Sequence, residues 1–583
     1  MNTWNLRLLY KSNTDPQIER DCVLLENAYA RFAKKYGGPD RKYLTNNAAL
    51  LSALKDYEKL CELDSSKPLL YFFYSRDINS GDKKAASECL LLDNRLTKMR
   101  SQISFFTLSL GTVSKNRQGE ILSNTDIKHY RFLLQCIFRD AKYDLSVVEE
   151  KIMSLKSMPA HDMWVTHTNK ILNSKTVSWQ GKDIAISSAL NIVVFLKSAK
   201  QRKELSSRIL DVLTDVARFA EGEINAIVTN KKINDELRGY ARPQDATIVG
   251  YNNDPKVVDG LVSVISENLH IAHRFYGLKS RLMKQKKLNY CDRMAPIGTL
   301  NRSFSFDNSY KKLMNLFSTI DPKYSKMLAE FYENGQIDVY PKKGKKGGAY
   351  CWASYGNPTF VLLNDVGNLH SYTTFAHEMG HAFHNQLAKI QGPLYSSSSI
   401  SVAETASTLF EAIALDAVYE DLTDKEKIIV LHDKISDDLS IVFRQIAFYN
   451  FELDLHREIR KMGYLSKEEI AKLLSKHLAS YLGHSVNVTE QDGYAFVSLS
   501  HMRRFFYVYT YAYGQLVSKA LLHRYKKDKS FWKSIEKLLS SGGSATPEEL
   551  LKSIGIDVTS KNFFLEGIKE IEADIIRLEK LIK

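Results

Sequence analysis

Apolar residues recur along most of this chain at spacings of three and four, the signature of one buried helix face. Ile18–Lys35, Asn46–Leu63 and Arg95–Leu110 follow that pattern and predict helices. Residues 1 to about 190 therefore read as helical, with polar breaks at Asp77–Asp82 and Ser114–Thr125 that predict loops. The same patterning runs from about 185 to 330. Turns are marked there by Gly239 and Pro243 in RGYARPQDA and by Pro296 in LNYCDRMAPIG. At Gly335 the pattern changes. GQIDVYPKKGKKGGAYCW followed by NPTFVLLND predicts strands, most clearly Thr359–Leu363 between Pro358 and Asn364. Helical spacing returns in TTFAHEMGHAFHNQL (373–387) and, after the loop QGPLYSSSS (391–399), in SVAETASTLFEAIALDAVYEDL. It continues through 420–485, and the aromatic stretch SHMRRFFYVYTYAYGQLVS (500–518) also reads as a helix. Near the end, Ser544 or Thr546 caps a further helix.

The helix at 373–387 carries His377, Glu378, Met379, Gly380 and His381, an HExxH pattern. Helix positions four apart share a face, so both imidazoles can point at one metal ion. Zinc takes neutral imidazole and keeps one position open in catalytic sites. Glu378 follows the first histidine, where a carboxylate can serve as general base. Glu404 lies 23 residues beyond His381, which suits a loop out and a helix back with Glu404 as third ligand. Ser401-x-x-Glu404 also fits a capping box. Glu411 is two turns further along and can support a ligand histidine or simply be a partnered carboxylate. His384 shares the face of His377, but seven helical residues separate them by about 10.5 Å, which makes it a poor second ligand for the same ion.

In the aromatic stretch a helix aligns Tyr507 with Tyr511. With His501 they are donors suited to a developing oxyanion, or else residues of an aromatic core. Arg503 and Arg504 can hold a peptide carboxylate. The strand before the HExxH helix can pair with an extended peptide, or be an ordinary hairpin. His129, His161 and His167 read as surface or satisfied residues, and Asp292 and Arg293 as a structural pair.

Composition narrows the class. A chain of 583 residues that is 44% hydrophobic supports several core-bearing lobes. No apolar run reaches the length of a membrane span. The start, MNTWNLRLLYKSNTDPQ, has no apolar signal core, so a cleaved secretory signal is not expected and a cytoplasmic location is. The six cysteines are scattered without CxxC and read as reduced thiols. The net charge of +14 suggests a polyanion partner, but the lysines are spread over helix faces rather than gathered in one tract. The densest group is Lys342, Lys343, Lys345 and Lys346. A basic cleft that attracts peptide carboxylates is a third reading of the charge.

The ordered pieces TWNLRLLY, RGYARP, YCDRMAP, DVYPKKGKKGGAYCW, TFVLLND, FAHEMGHAFH, AETAST, HMRRFFYVYTYAYG and SGGSATPEELLKSIGID span nearly the whole chain. In them the chain resembles oligoendopeptidase F and its relatives in the M3 family of zinc oligopeptidases. The resemblance implies a mostly α-helical, two-lobed, zincin-type fold with a deep interior channel and a small β-sheet beside the HExxH helix. It implies an N-terminal helical lobe over 1–190 and the catalytic region over 191–583. It implies one Zn2+ per chain on His377, His381 and Glu404, with Glu378 as general base and proton shuttle. His501 and the FYVYTYA region would face substrate, which makes His501, Tyr507 and Tyr511 catalytic candidates. GYAFVSL, ahead of His501, has a tyrosine where the family pattern has tryptophan. The expected function is hydrolysis of internal bonds of short peptides, by a zinc-bound water that Glu378 activates. A carboxypeptidase-like exopeptidase using Arg503 or Arg504 is the alternative. A peptide- or RNA-binding protein with an idle metal site is the more distant one. Short peptides are the expected partners, with neither nucleic acid nor membrane.

Overall fold

A computed structural model describes residues 2–583, and the fold is mostly α-helical. The first predicted helix spans Pro16–Tyr36. Pro16 sits where no amide hydrogen is needed, and the Asp15 side chain accepts from the Gln17 amide. Asn46 caps the second, Asn47–Leu63, in the same way. Two expectations near the N-terminus are corrected. The pattern at Arg95–Leu110 is divided between helices Lys83–Ser101 and Ser104–Gly111. Ile103 leaves helical geometry there (φ −112°, ψ 4°), and this re-aims Phe106 and Leu110 into the core that Met99 also faces. Ser114–Thr125 is not a loop but contains the helix Lys115–Ser123. Ser114 caps it, and Gln118 and Ile121 are buried by it; so few apolar residues leave little periodicity to read.

Beyond residue 173 a hairpin pairs Thr176–Trp179 with Lys182–Ala185. Its two-residue turn, Gln180 and Gly181, has positive φ at both positions, the primed geometry that matches strand twist. This hairpin escaped the sequence pattern. A 40-residue spine helix follows, Ala199–Arg238, and ends at Gly239 in the left-handed conformation. Arg202 on the spine donates to Asp292 at 2.6 Å in a buried ion pair, so Asp292 pairs with Arg202 and not with its neighbour Arg293.

The expected sheet is present. Phe360–Leu362 lies between Ile337–Asp338, which runs parallel to it, and Tyr350–Trp352, which runs antiparallel. Alternate side chains of a strand point to opposite faces. Accordingly Val361 belongs to the largest hydrophobic core, whose residues run from Leu172 to Leu578. Phe360 and Leu362 belong to a separate core with Trp4, Leu9, Tyr10 and the Lys67–Ile78 helix. The Trp4 indole donates to the Val361 carbonyl at 2.8 Å, which fastens the N-terminal segment to the sheet. A third core joins helices between Leu25 and Phe138. Among the described residues no helix is long and apolar enough to cross a membrane, and the six cysteines are unpaired.

Candidate metal centre and the aromatic segment

The HExxH sequence lies in the helix Leu369–Ala388, capped by Asn368 through the Ser371 amide. Phe375, Ala376, Met379, Ala382 and Phe383 are fully buried on one side of this motif helix, which leaves His377 and His381 on the side facing a second helix. That helix, Ile400–Tyr419, carries Glu404. Its cap is Ser399, not Ser401, whose hydroxyl instead donates to Asn253. Glu404 therefore belongs to no capping box. One of its oxygens lies 3.3 Å from Nε2 of both His377 and His381.

What brings the two helices so close is Gly380. A Cβ there would stand 2.7 Å from Ser407 Cα and 2.8 Å from the Ala406 carbonyl oxygen, so the helices meet backbone to backbone. A Cβ at Gly514 would likewise come within 3.4 Å of Glu404 Cβ. These two glycines were not singled out from the sequence. The available signal was a glycine within a helix, which costs about 1 kcal/mol relative to alanine and so calls for a packing reason.

The electrostatics of the pocket favour cations. His377 Nδ1 donates to Glu411 at 2.9 Å, which orients the ring and directs Nε2 toward Glu404. Burial opposes a charge on His377, but the carboxylates of Glu404 and Glu411 outweigh it and lift its pKa to about 10. Burial likewise opposes a charge on Glu404, yet the two imidazoles hold its carboxyl well below the ordinary range. The ligand atoms of His377, His381 and Glu404 all fall within 4.8 Å of one another. Two imidazole nitrogens and one carboxylate oxygen are a donor set for a divalent ion with an open position, and the residues present fit zinc. Beside them Glu378 is buried, and one of its oxygens has no partner. Burial first of all raises its pKa. Orphaned buried carboxylate oxygens are rare enough to need a reason, and proton transfer is one. His384 is not in this group: it turns away to Ser398, 2.8 Å from its hydroxyl.

The aromatic stretch is not one helix. Ser500–Arg504 forms a short 3-10 turn, Phe505 and Phe506 follow with positive φ, and regular helix runs only over Tyr509–Lys527. The candidates nevertheless meet. The hydroxyls of Tyr507 and Tyr511 are 3.1 Å apart, and the His501 ring lies nearly parallel to that of Tyr507, at 5.6 Å and 10°. Burial, followed by the charges of Arg444 and Arg504, lowers the pKa of His501, so it is a neutral ring. Burial also drives the Tyr507 phenol well up, so it keeps its proton. Arg503 cannot hold a substrate carboxylate. It is buried in a two-bond ion pair with Glu223, both bonds 2.8 Å, and donates also to the Phe496 and Leu499 carbonyls.

Other sequence candidates resolve into structure. Lys345 is buried 2.7 Å from Asp338, while Lys342 and Lys346 stay half exposed at 3.6 Å from Asp338 and 3.1 Å from Asp77, so three of the densest lysine group are paired with acids. His129 reaches Glu58, His161 reaches the Arg503 carbonyl, and His167 stacks edgewise on Phe219. Strand Tyr350–Trp352 is an edge of its sheet, and Cys351 from it meets Asn385 of the motif helix.

The chain is similar to known proteins over nearly its whole length. The chain is 25% identical to an oligoendopeptidase F homolog of Borreliella burgdorferi over 97% of this chain and 98% of that one. A solved structure from Chlamydophila abortus shares its fold with a TM-score of 0.84 at 21% identity, covering 100% of this chain and 98% of the other. Oligoendopeptidase-F from Enterococcus faecium shares it at 0.73 and 18% identity, over 97% and 99% of the two chains. The family model for peptidase family M3 matches residues 197–570, a span that holds the motif helix, the glutamate helix and the aromatic segment. On that match, well over half the chain, the protein belongs to peptidase family M3.

Proposed function

We propose that this protein is a zinc-dependent oligoendopeptidase, which hydrolyses internal bonds of short peptides. The observation that carries the reading is the convergence of His377, His381 and Glu404 beside the unpartnered oxygen of Glu378. The first three residues would hold one Zn2+ per chain. When bound, the ion supplies Lewis acidity at the scissile carbonyl. Glu378 takes a proton from the attacking water at its free oxygen and returns it to the leaving amine nitrogen. Its raised proton affinity suits both halves of that task. Glu411 keeps the His377 ring in one orientation through Nδ1. Tyr507, Tyr511 and neutral His501 offer protons to the developing oxyanion. The edge strand Tyr350–Trp352 offers backbone groups to an extended peptide.

Two lobes, 1–190 and 191–583, enclosing a channel belong to the same reading; a separate hydrophobic core between Leu25 and Phe138 supports an N-terminal unit, although the largest core already begins at Leu172. A channel admits an extended peptide and refuses a folded protein. The exopeptidase alternative is left with Arg504 alone, which is exposed, because Arg503 is bound to Glu223. A nucleic-acid partner is not expected, since Lys342, Lys345 and Lys346 are paired with Asp338 and Asp77. The location is expected to be cytoplasmic, with no membrane partner.

The decisive experiment digests a mixed peptide library with purified protein and reads the products by mass spectrometry. Internal cuts are expected, with no cleavage of a stable folded protein. Chelation should abolish them and zinc should restore them. Release of terminal residues alone, or cleavage unaffected by chelation, would overturn the proposal.

A further inference from the structure

The metal pocket does not explain the turn between His501 and Tyr507. Phe505 (φ 49°, ψ 107°) and Phe506 (φ 59°) are consecutive residues in a region that side chains with a Cβ avoid. Such strain persists only where surrounding contacts over-determine it. Here the contacts come from four separate elements. Glu452, in the helix Phe443–Met462, accepts from the Phe506 amide at 3.0 Å. The Thr247 hydroxyl, in the short helix Asp245–Gly250, donates to the Phe505 carbonyl at 2.9 Å. His161 Nε2 lies 3.0 Å from the Arg503 carbonyl oxygen, and Glu223 on the spine holds the Arg503 side chain.

Glu452 is unusual among these holds. It is 1% exposed, and only one of its two oxygens has a partner. Together with His501, Leu499, Met502, Phe448 and Phe451 it lines a space of about 10 Å³, room for about one water. Glu452 thus holds the strained turn through the Phe506 amide and shares a cavity wall with His501. Charged and titratable neighbours do not neutralise it. Lys231 is engaged with Asp235, which Arg460 also binds, and the buried His456 ring packs on Phe506 at 4.8 Å. Burial raises the pKa of Glu452 to about 8, so near neutrality it is an uncharged acid whose carbonyl oxygen serves as acceptor.

We propose that Glu452 is a positioning residue for peptide hydrolysis: by accepting the Phe506 amide hydrogen it fixes the turn that presents His501 on one side and Tyr507 on the other. The proposal rests on the peptidase reading above. An ordinary structural role, satisfying one buried amide, makes a different prediction. It lowers stability and leaves the turnover of folded enzyme intact.

The test measures kcat, KM, zinc content and melting temperature for Glu452→Gln and Glu452→Met beside wild type. Glutamine keeps an acceptor in the same place and should hold kcat within about threefold. Methionine matches the length without an acceptor. With Tyr507 and His501 displaced, kcat should fall about 10²-fold while KM and zinc content hold. A folded, zinc-loaded methionine variant with kcat within about twofold of wild type would overturn the proposal, as would a glutamine variant equally impaired. If the methionine variant does not fold, Thr247→Val decides, since it removes a second hold on the same turn. A several-fold drop in kcat at unchanged melting temperature supports the role, and unchanged kcat ends it. A wild-type protein that cleaves no peptide is a distinct result, because it refutes the peptidase reading and removes the Glu452 role with it.

Discussion

His377 and His381 owe their common direction to one unbroken helix, whereas His501 and Tyr507 meet across a strained turn at Phe505 and Phe506. In the first region the four-residue repeat does the placing, and the packing of Gly380 on Ser407 sets the distance to Glu404. In the second, local geometry is unfavourable and distant side chains impose it: Glu223, Thr247, Glu452 and His161. The difference separates two ways of building a site. Periodicity yields ligands that are robust and readable. Tertiary clamps yield donors that depend on residues far away in sequence.

The sharpest way to examine the regular half is Glu378→Gln. The fold and zinc content should be kept while turnover falls by about 10²–10⁴-fold. Near-normal kcat with zinc bound would remove Glu378 from the chemistry. For the clamped half the matching change is Tyr507→Phe, which deletes one hydroxyl. Loss of an oxyanion donor costs about 10²–10³ in kcat with little change in KM. Kinetics showing both constants unchanged would make Tyr507 a core residue. A smaller effect is expected at the helix contact. Gly380→Ala forces the two helices apart, so melting and metal analysis should show about 1–3 kcal/mol of lost stability together with weaker zinc retention. Equal stability and metal content would mean that the contact is soft. Last is Glu411→Gln, which should weaken zinc about 10–100-fold in competition with a chelator. Unaltered affinity would reduce the His377–Glu411 bond to simple packing.

The same contrast explains what could be read from sequence. The helical class and the HExxH helix were legible because each repeats at a fixed period over enough residues, and the strand at 360–362 because a continuous apolar run lies between Pro358 and Asn364. Glu404 was legible as a candidate through its distance from His381, but the sequence left a capping box open until Ser399 was seen to be the cap. The helix at Lys115–Ser123 was missed because only its cap and two side chains commit it. Continuity at Phe505–Phe506 was wrongly expected, since nothing local to FFYVYT announces a turn held from other helices. Arg503 was read as a substrate grip for the same reason: its partner Glu223 lies 280 residues away.

That separation along the chain bears on the order of assembly. The motif and glutamate helices form a local pair, with Glu404 only 23 residues past His381. Closing so short a loop is entropically cheap, and contacts of this kind form early. The turn at Phe505 and Phe506 waits for Glu223, Thr247 and His161, partners 280, 258 and 342 residues distant from the segment. During refolding, the cluster of His377, His381 and Glu404 is therefore expected to be complete before His501 and Tyr507 are in place. Under the proposed function, zinc uptake is expected to run ahead of the recovery of peptidase activity when unfolded protein is diluted into zinc-containing buffer.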